Sequence, residues 1–413
     1  MFHEQVRKIR NWHLIQFFRQ LLPHWLVNLL YHFPKSFLAV LYYQYPAKNL
    51  TVIGVTGTDG KTSTATLIYE ILKKAGKKVA LVSTVSAKIG NLDLETGFHV
   101  TSPDPWKLQQ LLRQIVNKEI KYVVLEATSH GLAQYRLLGC NFYLGVVTNI
   151  THEHLDYHKT FSSYLLAKAK LIKKTKYSIL NNQDSSFKIL GKIAQGKVIS
   201  YGLKNADYSL ENYSFKTSLP GEFNLLNSLA AIAVAKTLKI DDKSIKKGLI
   251  LFKGVRGRME EIKVGQNFRV FIDFAHTPNA LENALKTLSK MGSRVIAVFG
   301  CAGLRDKEKR PMMGKIACQL ADIVVLTAED PRKESILTII SDIKAGCQQK
   351  NKIIVKTDRK EAIDHTITKL AKKGDIVGFF GKGHEQSMCY GVKEQPWSEH
   401  EVIEEALKRR INK

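Results

Sequence analysis

Residues 54–64 read GVTGTDGKTST. They follow the β-branched run Leu50–Val55 and precede a helical pattern, Thr62–Ala75, that sets Leu67, Ile68, Ile71 and Leu72 on one face. Strand, glycine turn and helix N-terminus in that order build an anion cradle, because backbone N–H groups and the helix dipole converge on one point. Gly57 and Gly60 let the backbone approach a phosphate closely, and Thr58 and Asp59 complete the turn. Lys61 is placed to neutralise β/γ-phosphate oxygens and Thr62 to ligate Mg²⁺. The spacing is unusual: the common phosphate loop has four residues between its glycines, and here five separate Gly54 from Gly60.

The rest of the chain extends the same architecture. Lys77–Thr84, Tyr122–Glu126 and Tyr143–Asn149 read as short apolar strands separated by helical patterns. A second alternation starts near residue 260, with strands at Phe268–Asp273, Arg294–Gly300, Ile323–Thr327, Lys352–Lys356 and Ile376–Gly381. Helical patterns such as Asn279–Met291 and Pro311–Leu320 lie between them. Alternating strands and helices predict an α/β protein with mostly parallel sheets covered on both faces. The expected plan is a helical arm over 1–48, a central nucleotide-binding domain over 49–255, and a C-terminal Rossmann-like α/β domain over 256–413.

Lys and Arg number 63 against 37 Asp and Glu, which favours anionic partners without choosing among them. No RNA- or DNA-binding motif accompanies the charge, so no nucleic acid is expected. The five cysteines form no CxxC pair, which predicts neither a zinc ribbon nor a disulfide framework and points to a reduced, cytoplasmic setting. No run has the roughly 18 apolar residues of a membrane span.

Residues 1–48 are distinct, with eleven aromatics, six Lys/Arg and one acid. Pro23, Pro34 and Pro46 are expected to divide them into short helices. Phe2, Val6, Ile9, Trp12 and His13 suggest one face of a helix, followed by Leu14, Phe17, Phe18 and Leu21. Two readings stay open: a helix lying in a membrane interface, which would make the protein peripheral at the inner membrane face, or an arm packed on the body.

Several separated motifs resemble the Mur ligase superfamily, and within it the ligases that add the third residue of the peptidoglycan stem. TGTDGKT is similar to the family's TGTNGKT, with Asp59 in place of Asn. LEATSHGLAQYR (125–136) resembles EVSSHGL…R, which implies Glu126 as a Mg²⁺ ligand and Thr128, Gln134 and Arg136 as contacts of a UDP-muramoyl-dipeptide. Thr101 and Ser102 match another substrate-contacting pair. TNITHEHLDYH (148–158) resembles TN(L/I)xxDHLDYH. Its histidines also offer a zinc-like donor set, but the resemblance places Asn149 and His154 near Mg²⁺ and phosphate; His152 and Glu153 depart from the pattern.

YLLAK (164–168) resembles YxxAK, whose lysine, here Lys168, is carbamylated in the family and then binds a second Mg²⁺. Nearby cations such as Lys170 and Lys173 are expected to lower its pKa, since only the neutral amine takes up CO₂. GEFNLLNSLAA (221–231) resembles GxHNxxNxLAA, with Asn224 on ATP and Phe223 replacing His. RGRME (256–260) implies Arg258 near the nucleotide, and IDFAHTP (272–278) implies Asp273 and His276 near its ribose and base.

Three further motifs bear on the incoming amino acid. GLRDK (303–307) resembles GGxRDxxKRP, with Arg305 on a carboxylate. EDPR (329–332) stands where meso-diaminopimelate ligases have DNPR; Arg332 keeps the guanidinium fork, while Glu329 and Asp330 depart. GKGHE (381–385) places Gly381 and Glu385 on the diamino acid. The resemblance therefore implies a cytoplasmic, monomeric, ATP-dependent ligase that joins meso-diaminopimelate or L-lysine to a muramoyl dipeptide through an acyl phosphate. Residues 1–48 do not resemble the family's UDP-binding domain, which leaves a lipid-linked acceptor as the variant. A folylpolyglutamate- or cyanophycin-type ligase and a basic nucleic-acid-binding ATPase are the alternatives.

Overall fold

The computed structural model describes residues 23–95, 102–292 and 294–412. Thr101 and the expected helix faces between Phe2 and Leu21 lie outside them.

Two sheets organise the chain. The first has eight strands: β1 (Thr51–Thr56), β2 (Val79–Val82), β3 (Ser86–Ile89), β4 (Leu92–Glu95), β5 (Tyr122–Glu126), β6 (Phe142–Val147), β7 (Tyr177–Asn181) and β8 (Lys197–Tyr201). Their spatial order is β4-β3-β2-β5-β1-β6-β7-β8. All neighbours are parallel except the β2-β3-β4 meander. The second sheet holds β9 (Glu260–Ile262), β10 (Arg269–Asp273), β11 (Val295–Phe299), β12 (Ile323–Leu326), β13 (Ile353–Val355) and β14 (Ile376–Phe380), in the order β13-β12-β11-β14-β10-β9. Only the β9-β10 pair is antiparallel. The predicted strands are found, each starting or ending within two residues of its sequence pattern.

Alternation along β1 sends Ile53 and Val55 into one core and Val52 into another. On the first side, helix Lys61–Lys74 packs its apolar stripe against helices Glu222–Thr237 and Asp242–Leu251. On the other, helix Pro105–Asn117 buries Leu108, Leu111, Leu112 and Ile115. Register decides where chemistry gathers. Val55 pairs with Glu126, and Thr56 with Val147, so β1, β5 and β6 end level. Ligands collect at such carboxyl ends of parallel strands.

Two expectations need correction. Pro34 does not divide the arm. Helix His24–Val27 runs through a π turn, Asn28–His32, into helix Phe33–Tyr42. The widened turn lies just before Pro34, where a regular helix would have to absorb its missing N–H and the clash with the carbonyl four residues back. Second, Cys318 and Cys347 form a disulfide with a Cα–Cα separation of 5.7 Å. They are 29 residues apart and meet where helix Lys309–Leu320 packs on helix Ile336–Ala345, so a search for closely spaced cysteine pairs misses them.

Candidate functional site

The phosphate loop sits on top of β1. Gly60 caps helix Lys61–Lys74 with φ of 79°, and a Cβ there would lie 2.5 Å from Asn227 Oδ1. A Cβ on Gly57 would overlap Thr148 Oγ1. Only glycine fits either position. The loop after β6 braces the turn: Asp59 N donates to Asn149 Oδ1 (2.9 Å), and Thr148 Oγ1 donates to Asp59 O (2.6 Å). Lys61 Nζ folds back onto Thr58 O at 2.7 Å. Burial holds the Lys61 pKa below that of a free lysine, while Glu126 pulls it back up.

Glu126, at the end of β5, is 3% exposed. Thr62 Oγ1 lies 3.1 Å from both its oxygens, and Thr84 gives Oε2 a backbone N–H (3.0 Å) and a hydroxyl (2.9 Å). A hydroxyl and a carboxylate converging at a phosphate loop form the oxygen donor set that suits Mg²⁺. Arg258 reaches from the second sheet's side, with its NH2 3.4 Å from Thr62 Oγ1 and its guanidinium 4.4 Å above the Phe274 ring. Its buried Nε has no hydrogen-bond partner. Asp273 receives Met259 N (2.7 Å) and Ala275 N (2.6 Å), which fixes the Arg258 turn. Burial raises its pKa to about 6 against the pull of Arg258.

Lys168 lies beneath the loop, 2% exposed, and donates to Gly57 O. Its pKa falls well below the usual lysine value. Burial is the main cause and Lys61 the next; neither Lys170 nor Lys173 is among the leading causes, which corrects the sequence expectation. His154 caps helix Leu155–His158 in the left-handed region and packs edge-on against His130, with ring centroids 4.8 Å apart. Burial and the neighbouring His130 and Lys168 keep it neutral.

At one mouth of the cleft, Ser102, Thr128, Gln134 and Arg136 form a single hydrogen-bonded group. Ser102 Oγ meets Thr128 Oγ1 at 2.8 Å, and Arg136 grips Gln134 Oε1 (2.9 Å) and Ser102 O (3.0 Å). At the other, Asp330 Oδ1 accepts from Lys382 Nζ (2.9 Å), which also pairs with Glu385 (2.6 Å). Arg332 NH1 donates to Gly303 O (2.8 Å). Glu329 is buried against Gly381, its Oε2 lacks a hydrogen bond, and burial lifts its pKa to about 7.

Between the sheets these groups enclose a cavity of about 660 Å³. Thr58 to Thr62, Glu126, Thr128, Arg136, Asn149, His154, Asn224, Arg258, Asp273 and His276 line it, as do Arg305, Glu329, Asp330, Arg332, Gly381 and Glu385. Gly57, Ser102, Gln134 and Lys168 stand behind its wall. The sequence reading passed over several lining residues. Thr84 carries no motif. Asn227 is the second Asn of the quoted NxxN, and Lys309 falls in the KRP part of the Arg305 motif. Lys309 is buried, bonding Glu153 (3.3 Å) and His276 O (2.8 Å).

Known proteins resemble this chain over both regions that carry the cleft. Residues 55–235 match the Mur ligase middle domain, and residues 257–383 match the Mur ligase, glutamate ligase domain. The chain is 38% identical over 388 residues to the UDP-N-acetylmuramoyl-L-alanyl-D-glutamate--2,6-diaminopimelate ligase of Caldanaerobacter subterraneus, covering 89% of this chain and 80% of the relative. It is 40% identical over 384 residues to the ligase of the same name from Aquifex aeolicus, covering 88% and 78%. A solved ligase of that name superimposes with TM-score 0.59 at 32% identity, over 88% of this chain and 79% of the other. The phosphate loop, the Thr62–Glu126 pair and the cleft between the sheets thus fall in the two matched domains, and the chain belongs to the Mur ligase family, enzymes that use ATP to form amide bonds.

Proposed function

We propose that the chain joins meso-diaminopimelate to the D-glutamate carboxylate of UDP-N-acetylmuramoyl-L-alanyl-D-glutamate in peptidoglycan precursor synthesis, as the names of its relatives state for them. The observation that carries the reading is one cavity shared by Lys61, Glu126, Arg258, Arg305 and Arg332. A carboxylate must meet the γ-phosphate of ATP, and both are anions. Cations and oriented N–H groups at their meeting point lower that barrier. The carboxylate oxygen takes the γ-phosphoryl group and ADP leaves. The amine then attacks the acyl phosphate carbon, loses a proton, and expels phosphate.

In this reading Lys61 and the loop N–H groups hold the β/γ-phosphates, and Arg258, stacked on Phe274, orients the nucleotide. Thr62 and Glu126 would hold Mg²⁺, which would supply charge neutralisation. Asn149 and Asn227 keep the loop open, and His154 stays neutral beside the transferring group. Lys168, held as a neutral amine, takes up CO₂ with loss of a proton, and the carbamate would offer an oxygen donor to a second metal. Thr128 and Arg136 hold the muramoyl dipeptide, with Ser102 and Gln134 bonded to them from behind the cavity wall. Arg305 and Arg332 hold carboxylates of the diamino acid, and Glu329, Asp330 and Glu385 face its ammonium groups. The protein acts as a monomer, and the aromatic, basic residues 1–48 bring it to the inner membrane face.

The test is stoichiometry. Purified protein with ATP, Mg²⁺, the UDP-linked dipeptide and meso-diaminopimelate should yield ADP, phosphate and tripeptide in equal amounts, with L-lysine a poorer substrate. ATP cleavage without a new amide bond, under every acceptor and diamino acid, refutes the reading.

A further inference from the structure

From Trp25 to Tyr42 the exposed positions are Trp25, Leu29, Leu30, Pro34, Phe37, Leu38, Leu41 and Tyr42, every one of them apolar or aromatic and none charged. Leu30 is 64% exposed, Leu38 56% and Trp25 66%. A surface helix of a water-soluble protein ordinarily turns charged and polar residues outward. Here the inner face is the mixed one. Val27, Ser36, Ala39 and Val40 are buried, Val40 against Gly139, and Lys35 pairs with Asp104. Ring contacts pin the helix: Phe33 on Tyr135 at 5.4 Å and Tyr42 on Trp106 at 5.4 Å. It is therefore a ledge held on the body whose fully exposed positions are all apolar or aromatic.

We infer that this face docks on an anionic lipid bilayer, with the helix lying in the plane of the interface. Charge selects the occupant. The residues preceding the helix carry Arg7, Lys8, Arg10 and Arg19 against Glu4, and the whole chain has a formal charge of +26. A basic segment beside an apolar helix face is the composition that binds anionic lipid surfaces. Trp25 near one end and Tyr42 at the other are the residue types favoured at headgroup depth. The ledge also touches the acceptor mouth. Asn28 Nδ2 lies 3.4 Å from Tyr157 Oη, which accepts from Gln134 Nε2 at 3.3 Å, and Tyr135 is the ring beneath Phe33. On the ligase reading above, docking sets the muramoyl subsite at the lipid surface.

The test is sedimentation of the full chain with vesicles of phosphatidylcholine alone or mixed with phosphatidylglycerol. Binding is expected to the anionic vesicles and to weaken with salt. The double variant Leu30→Glu/Leu38→Glu should cut the partition coefficient by about tenfold or more. Its turnover of soluble UDP-linked acceptor and its melting temperature should match the parent's, because both side chains point away from the body. Four results would overturn the inference. The parent stays in solution; the variant binds as well as the parent; light scattering shows a dimer that the variant dissolves; or only a chain lacking residues 1–22 binds, which would assign the face to that segment. Sedimentation needs no turnover, so an inactive protein that binds vesicles refutes the ligase reading alone.

Discussion

Asp59 Oδ2, in the phosphate loop, accepts a hydrogen bond from Asn279 Nδ2 at 2.7 Å across the cleft. Its other oxygen accepts from Thr277 Oγ1 at 3.0 Å. Thr277 is the N-cap of helix Pro278–Ser289, so the carboxylate also faces the positive end of that helix dipole. The Asp59 carboxylate thus ties the loop to the second sheet's side. Asn279→Ala removes one hydrogen bond to a charged group, worth about 1.5–3 kcal/mol. The expected outcome is a loss of about ten- to a hundredfold in kcat/KM for ATP. Unchanged steady-state kinetics would show that the tie plays no part in turnover.

Lys168 is buried, donates to Gly57 O and faces Lys61, so its amine is neutral at a pH where free lysine is charged. Protein equilibrated with ¹³C-bicarbonate near neutral pH should show a carbamate carbon resonance that Lys168→Ala lacks. The same variant should lose about a hundredfold or more in kcat. A spectrum with no carbamate signal in the parent would remove the carbamate from the mechanism.

How much of this was legible follows the range of each interaction. The phosphate loop, the strands and Glu126 at the end of β5 are local patterns, readable from glycine spacing and alternation. Asp59–Asn279 and Glu153–Lys309 join residues 220 and 156 positions apart, and no periodicity marks such pairs. Lys168 was readable as a site only through resemblance; its low pKa comes from burial and from Lys61, both created by folding. Pro34 misled because the rule for proline assumes a regular helix, and the π turn before it is not one.

Glu329 offers a pH test. Its carboxyl titrates near 7 in the fold, raised mainly by burial. A raised carboxyl pKa means that the folded state keeps a proton which the unfolded chain gives up near pH 4.3. Stability is therefore lost as pH rises from about 4.5 to about 7, by about 3 kcal/mol in all. Glu329→Gln should melt like the parent near pH 4 and above it at pH 8, by thermal denaturation at both. Curves that stay parallel across this range would mean that Glu329 titrates normally.

Arg258 separates shape from charge. Its guanidinium stacks 4.4 Å from the Phe274 ring centre while NH2 points at Thr62 Oγ1. Lysine keeps the charge but neither the plane nor the fork. Arg258→Lys should raise KM for ATP by about tenfold, the loss of a partly desolvated cation–π contact of about 1–2 kcal/mol. Parent-like KM in the variant would leave a simple positive charge as all the site requires.

The platform under Glu329 and Gly381 rests on a buried ion pair. Arg359 Nε and NH2 meet Glu399 at 3.0 and 2.6 Å, and both side chains are about 1% exposed or less. The same guanidinium donates to Ala328 O (3.1 Å) and Phe380 O (2.9 Å), the residues next to Glu329 and Gly381. Burying two charges is costly, so the pair as a whole adds little net stability, but removing one partner strands the other. Glu399→Gln should therefore destabilise by about 3–5 kcal/mol. Arg359→Met/Glu399→Leu should recover most of that in urea denaturation while still weakening diamino-acid binding, because Ala328 O and Phe380 O lose their common donor. A double variant with a normal KM for the diamino acid would make the pair a matter of folding alone.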